Sequence, residues 1–276
     1  MQDRLEGLSQ NGVLIPIVAS PRGGKTWTLR AMERRMNEAR PGWAKYLDLR
    51  VDPLPAGAPD GCLLLDEPEL AVEPSDRARD AGRLLDWCAR MHGAGTRVAL
   101  AMTPAEWAKL READQDGARV SMKDLQFIRP LQPLEAKRMA RSAAAQALLP
   151  TLPISWCRSP FLLELVFAEA EARSEPALDT AALLRAVLAR CSEAPIDYMQ
   201  GVFNEGLTEP QREAVRRVAW SDGDPPQEQM LVLRGCGLTD EHHGVQFLAD
   251  PVVEAVLGPQ RGGHGAPVKR AGEQAG

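Results

Sequence analysis

Long apolar runs are missing from this sequence. The longest, such as VLIPIVA, fall far short of the roughly 20 apolar residues that a membrane-spanning helix needs. The first ten residues, MQDRLEGLSQ, are too polar for a signal peptide. We therefore expect neither export nor membrane association.

An excess of positive charge is also missing. The chain has 33 Lys and Arg against 38 Asp and Glu, which gives a net charge of −5 at pH 7. Such a chain has no overall positive field that would attract nucleic acid or an anionic membrane. Non-specific binding to either is therefore not expected, although a local basic face stays compatible with this composition.

Cysteine is scarce, and its spacing forms no motif. The five cysteines include no CxxC pair: Cys62, Cys88, Cys157, Cys191 and Cys236. The odd count and the spacing argue against a disulfide framework or a zinc site and predict reduced thiols in a cytoplasmic protein. The 276 residues, 44% of them hydrophobic, are enough to bury a sizeable core.

Strands and helices alternate in the first part of the chain. Strands are predicted at residues 13–18, 45–49, 62–65, 97–102 and 124–128, of which 13–18 and 62–65 are continuous apolar runs. Helices are expected between them at residues 26–39, from Ser75 to Met91, and from Pro104. This alternation predicts a parallel sheet covered by helices on both faces.

The pattern changes after Pro130. Residues 134–149, 160–173 and 179–191 have helical periodicity with no strand between them. We therefore divide the chain into an α/β core at residues 1–130, a helical unit at 131–193, and a third unit at 194–257. Residues 258–276 are rich in Gly and charge and are expected to be a disordered tail.

The segment VLIPIVASPRGGKTWTLRAM carries the strongest chemical signal. An apolar strand leads into a P-loop, with Ala19 at the usual first glycine, followed by Gly24, Lys25 and Thr26. Backbone N–H groups at the start of the helix can bind phosphate, Lys25 can bind the β- and γ-phosphates, and Thr26 can bind Mg²⁺. The predicted nucleotide-binding residues here are Ser20, Pro21, Arg22, Gly23, Gly24, Lys25, Thr26 and Trp27.

A second motif, GCLLLDEPEL, ends an apolar strand with two carboxylates. Asp66 is expected to bind the magnesium shell, and Glu67 to orient and polarise the attacking water. The pair points to ATP hydrolysis rather than to a kinase. The fourth predicted strand ends at Thr103, which could contact the γ-phosphate or simply cap the helix that starts at Pro104.

With these motifs in this order, the chain resembles the AAA+ and STAND (signal-transduction ATPase with numerous domains) branches of P-loop ATPases. The stretch FIRPLQPLEAKRMA resembles the start of the helical lid in that group, and WCRSPFLLELV resembles its adenine-side segment. The resemblance implies that Pro160 lies near the adenine and that Arg158 is a lid arginine. It also implies that GLTEPQREAVRRVA begins a winged helix.

The fold class that follows is an α/β P-loop NTPase sheet with a helical lid and a small winged-helix domain. No arginine follows Thr103, so an arginine finger is unassigned, with Arg97, Arg129 and Arg158 as unranked candidates. The proline-rich link VDPLPAGAPD is too short for the helix and loops that many AAA+ motors carry there, which argues against a pore-loop translocase.

Three functional hypotheses remain. The leading one is an ATP/ADP-controlled switch in bacterial signalling or antiviral defence, acting with an effector or sensor protein in trans, with a homo-oligomer as a further partner. The second is a DNA-associated ATPase whose winged helix reads duplex DNA, which the acidic pI disfavours; Arg212, Arg216 and Arg217 could serve it or be a solvated face. The third is a scaffold that binds nucleotide without hydrolysing it.

Overall fold

The computed structural model describes residues 11–20, 23–68, 80–115, 117–128, 131–173, 179–193, 200–220, 225–242 and 245–257. Five parallel strands form one sheet in the order β2-β3-β4-β1-β5. They are β1 (Ile15–Val18), β2 (Ala44–Asp48), β3 (Cys62–Asp66), β4 (Arg97–Met102) and β5 (Gln126–Phe127). The predicted parallel sheet is confirmed.

Among the described residues, three helices cover this sheet: α1 (Lys25–Ala39), α2 (Ala81–Gly93) and α3 (Pro104–Ala113). Alternation along the strands decides which helix each side chain meets. Cys62 and Leu64 pack with α1, whereas Leu63 and Leu65 pack with α2 and α3. Helices therefore lie on both faces, and the link between β2 and β3 contains no helix, as expected from its prolines.

Two helix boundaries differ from the expectation, and both differences come from capping. The predicted helix at 134–149 is two helices, α4 (Pro133–Met139) and α5 (Ala143–Leu148). Ser142 starts α5 by accepting a hydrogen bond from the Ala145 N–H at 3.2 Å. The helix expected from Ser75 begins at Ala81, because Asp80 is its N-cap; Ser75 itself lies outside the described residues.

The helical unit and the third unit share one apolar core. The remaining described α-helices and strands are α6 (Ile154–Cys157), α7 (Pro160–Arg173), α8 (Thr180–Glu193), α9 (Glu209–Trp220), α10 (Gln227–Gly235), the antiparallel hairpin β6 (Thr239–His242) and β7 (Val245–Leu248), and α11 (Pro251–Leu257). A π-helical turn, Gln200–Glu205, precedes α9. A single cluster of buried side chains extends from Ala136 to Val253. The boundary at residue 193 and the winged-helix assignment stay predictions. No helix in the described residues is long and apolar enough to cross a membrane.

Helix α10 attaches the third unit to the sheet. Its Val232, together with Cys236 just beyond its end, belongs to the same buried cluster as Val18 and Met102 of the sheet. A second attachment lies at the start of α3, where the Ala105 N–H donates to the Gly206 carbonyl at 2.9 Å. The third unit therefore contacts the core close to the carboxyl ends of β1 and β4.

The last residue of α10 has no room for a side chain. A Cβ atom at Gly235 would overlap the ring of Phe127 in β5. We predict that Gly235→Ala lowers the free energy of unfolding by about 1–3 kcal/mol, the usual cost of overpacking. Urea unfolding monitored by tryptophan fluorescence measures this.

Gly93 offers a matched control for this variant. It is also the last residue of its helix, but a Cβ atom there would meet nothing within 4 Å. Gly93→Ala should be neutral or slightly stabilising. Equal losses of stability in the two variants would contradict the packing described for Gly235.

Candidate functional site

The P-loop turn is built on backbone that only glycine fits. The Ala19 N–H still pairs with the Met102 carbonyl at 3.1 Å, and the Gly23 N–H then donates to the Ser20 carbonyl at 2.9 Å. A Cβ atom at Gly23 would lie 2.8 Å from that carbonyl oxygen, and Gly24 has a φ of 85°. Helix α1 starts immediately afterwards at Lys25, so its N-terminal N–H groups border this turn.

Ala19 departs from the usual glycine without strain. It is buried, and its φ is not positive, so a side chain of this size is compatible with the backbone. Pro21 and Arg22 lie outside the described residues, so their predicted role in nucleotide binding stays a prediction.

A hydrogen bond joins the start of α1 to the end of β3. The Thr26 hydroxyl donates to Asp66 Oδ2 at 2.6 Å. Asp66 is fully buried and also accepts a hydrogen bond from the Tyr46 hydroxyl at 3.0 Å. Burial and the neighbouring Asp66 carboxylate raise the pKa of Tyr46, so its hydroxyl stays protonated and can keep donating.

Tyr46 is a site residue that the sequence analysis did not identify. It lies in β2, where Asp48 pairs in register with Asp66, and its side chain crosses from one strand to the carboxylate of the next. A tyrosine two residues before the end of the strand beside an Asp-Glu motif is the only sequence signal that could have pointed to it.

Glu67 lies beside the P-loop lysine. Its Oε1 is 3.7 Å from Lys25 Nζ, and both side chains are largely buried. Burial raises the pKa of Glu67, and the nearby Lys25 ammonium opposes that rise without cancelling it. Glu67 also has a φ of 50°, a left-handed backbone that is costly outside glycine and is often found at functional sites.

Thr103 occupies the gap between the two motifs, because β4 lies between β1 and β3. Its hydroxyl accepts a hydrogen bond from the Glu106 N–H at 3.2 Å, and Glu106 Oε2 accepts one from the Thr103 N–H at 2.8 Å. The helix-cap interpretation of Thr103 is therefore confirmed. Contact with a γ-phosphate stays a prediction that this position permits.

A cleft of about 1250 Å³ separates α1 from the helical unit. Lys25, Thr26, Trp27 and Glu67 line one end of it, and Pro160 lines it from the helical unit, as the sequence analysis expects for the adenine side. The cleft is therefore the place where a bound nucleotide would meet both units.

The structure places Arg158 differently from the expectation. Arg158 does not line the cleft; its guanidinium instead contacts the Asp240 carboxylate at 2.5 Å. Arg138 and Arg141 are the arginines that line the cleft from the helical unit. Neither was singled out from the sequence, because a surface arginine on a helix carries no local signal of what it faces.

Known families and curated proteins give no match: no family model matches the chain, and no curated protein does. Among solved structures, the chain is similar to a Walker-type ATPase of Pyrococcus abyssi, with a TM-score of 0.59 and 13% sequence identity over 92% of this chain and 93% of that one. At that identity the likeness shows the fold alone. The chain has the P-loop NTPase fold, with a five-stranded parallel sheet flanked by helices.

The raised pKa of Glu67 generates a prediction about stability and pH. A carboxylate whose folded-state pKa lies above its ordinary value of 4.5 favours the folded protein at low pH, and that contribution is lost as the pH rises through the folded pKa. Glu67→Gln removes the ionised form. We predict that Glu67→Gln unfolds at a higher urea midpoint than the wild type at pH 8. The difference between the two midpoints should become smaller toward pH 4.5.

An exposed glutamate on α1 provides the control. Glu38→Gln removes the same charge at a solvent-exposed position and should show no gain that grows with pH. A gap between Glu67→Gln and the wild type that stays constant from pH 4.5 to pH 8 would contradict the electrostatic account of Glu67.

Proposed function

We propose that this chain is a magnesium-dependent ATPase of the AAA+/STAND type whose bound nucleotide controls how its units pack. The observation that carries the proposal is the 2.6 Å hydrogen bond between Thr26 and Asp66. This bond joins a hydroxyl of the P-loop helix to a buried carboxylate of β3. A hydroxyl and a carboxylate in these two positions are the protein oxygens that a nucleotide-bound Mg²⁺ uses.

The residues present fit a Mg–nucleotide. At Gly24 nothing lies within 4 Å of the Cβ position, which leaves the backbone there open to phosphate oxygens, and Lys25 offers a buried cation. Mg²⁺ prefers about six oxygen ligands, so phosphates and water would complete the shell that Thr26 and Asp66 begin. When bound, Mg–ATP supplies an electrophilic terminal phosphorus and a stable leaving group.

Each carboxylate has a separate task in this proposal. Asp66, held by Thr26 and Tyr46, orients the metal shell. Glu67 accepts the proton of the attacking water, and its raised pKa makes it a stronger base than an exposed glutamate. Lys25 draws Glu67 toward the phosphate end of the cleft, and Thr103 keeps a hydroxyl hydrogen that can be donated to a phosphate oxygen.

Contacts between the units support a switch. Val232 and Cys236, in and just beyond α10, pack in one buried cluster with Val18, the residue that leads into the P-loop. The Ala105 N–H, two residues from Thr103, bonds to Gly206 of the third unit. A nucleotide can shift the packing only if these contacts differ between its bound and free states.

We infer that the signal and the output lie in proteins supplied in trans, with a homo-oligomer as a further form of the switch. A bacterial signalling or antiviral defence complex is the setting that the AAA+/STAND resemblance implies, and this step is an analogy by fold. A cytoplasmic location fits the reduced-thiol composition of the chain.

The charges on α9 do not favour the alternative of a duplex-DNA-binding ATPase. Arg212 pairs with Glu209 at 2.6 Å, and Arg217 pairs with Glu213 at 3.3 Å. Arg216 contacts both glutamates. Arginines that are paired with glutamates in this way attract DNA phosphates only weakly. An affinity for duplex DNA that falls steeply with added salt would instead favour the DNA-binding ATPase over the switch.

Two substitutions test the proposal by separating binding from hydrolysis. Lys25→Ala should weaken ATP binding about 10- to 100-fold, because it removes a charge-assisted contact worth about 1.5–3 kcal/mol. Glu67→Gln should bind ATP normally and lower kcat about 10²- to 10⁴-fold. Calorimetric titration and phosphate release measure the two quantities.

Lys45, an exposed lysine of β2, provides the control, and Lys45→Ala should match the wild type in both assays. Undiminished ATP affinity in Lys25→Ala would refute the nucleotide site. Unchanged turnover in Glu67→Gln would favour the scaffold that binds without hydrolysing.

A further inference from the structure

The cleft is longer than the phosphate site at its end. It follows α1 from Lys25 to Ala39, about 21 Å at 1.5 Å per residue, and it ends at Trp43 and Arg97 on the opposite edge of the sheet. Its 1250 Å³ also exceeds the roughly 300–1,000 Å³ of ordinary small-molecule pockets. A nucleotide held at the P-loop would leave the far end of the cleft open.

Arginines give this cleft a positive charge that the chain as a whole lacks. Five line it together with Lys25, against three glutamates, Glu67, Glu135 and Glu164. The five are Arg35, Arg40, Arg97, Arg138 and Arg141. In the described part of the chain no ion pair engages any of these five guanidinium groups, so the cleft is suited to an occupant that carries carboxylates.

The uncharged part of the lining is rich in methionine and aromatic side chains. They are Trp27, Trp43, Phe161, Met32, Met36 and Met139. Arginine, methionine and aromatic residues are the types that interfaces between proteins are enriched in, and flexible methionines adapt to the apolar face of a bound helix. This composition favours a protein segment over a second small ligand.

The far end of the cleft is held rigidly. The Asn37 side chain makes two hydrogen bonds of 2.9 Å with the backbone of Ala44, next to Trp43. The Arg97 guanidinium lies 5.9 Å from the centre of the Trp43 ring. A fixed tryptophan beside an arginine is the kind of anchor that dominates the energetics of protein interfaces.

We propose that the far half of this cleft binds an acidic amphipathic helix of a partner protein. About two turns of such a helix, roughly 11 Å, match this half of α1, with its apolar face on Met36 and Trp43 and its carboxylates on Arg35 and Arg40. Nucleic acid fits less well, because three glutamates line the cleft and the chain carries a net charge of −5. This docking site goes beyond the proposed ATPase, which uses only the other end.

A synthetic peptide tests the site in the full chain. The probe is a fluorescein-labelled helical peptide of about 14 residues with Leu along one face and Glu along the other. We expect saturable binding by fluorescence anisotropy that weakens as salt is added. The double variant Arg35→Glu/Arg40→Glu should bind about tenfold more weakly, because two attractive charges become repulsive.

Arg34 makes the comparison specific, because it is exposed on the same helix but does not line the cleft. Arg34→Glu should bind the peptide as the wild type does, and Lys25→Ala should retain peptide binding even though it binds ATP more weakly. Four results would each overturn the proposal. The first two are no saturable binding of the peptide and equal affinity for a peptide with Gln in place of Glu. The other two are a loss of affinity in Arg34→Glu as large as in the double variant, and tighter binding of a single-stranded oligonucleotide than of the peptide.

Discussion

The contact between Thr26 and Asp66 is the constraint on which the rest of the site depends. It joins two segments 40 residues apart in sequence, and it can form because β1 and β3 both run parallel to the β4 strand between them, which brings their carboxyl ends to one edge of the sheet. Tyr46 fixes the same carboxylate from the other side. Asp66 is therefore held in one orientation before any ligand arrives, which is the preorganisation that metal and phosphate sites require.

This arrangement lowers the stability of the protein without its ligand. Lys25, Asp66 and Glu67 carry charge in a largely buried region, and Glu67 adopts a left-handed backbone conformation. Both features cost free energy that the ion pair between Lys25 and Glu67 offsets only in part. Anionic phosphate and a metal ion would offset more of that cost, so binding at the P-loop and the packing of the third unit against it are linked.

Features that depend on neighbouring residues could be predicted from the sequence. Features that depend on contacts between distant residues could not. Short segments rich in apolar residues predicted all five strands, and the glycines before Lys25 predicted the phosphate turn, because both depend on neighbouring residues. The break between α4 and α5 was missed, because an apolar helical periodicity continues across Ser142 although Ser142 caps the start of a new helix. Tyr46, Arg138 and Arg141 were missed because their roles depend on which strand or unit lies opposite. Arg158 was assigned by resemblance, although it pairs with Asp240.

The central claim is that Thr26 and Asp66 hold a metal ion only together with a nucleotide. Electron paramagnetic resonance with Mn²⁺ in place of Mg²⁺ tests this directly, because Mn²⁺ accepts the same oxygen ligands. The account predicts one tightly bound Mn²⁺ per chain when ATP is present, little without ATP, and loss of the bound signal in Asp66→Asn. Equal Mn²⁺ binding with and without ATP, or an unchanged signal in Asp66→Asn, would contradict it.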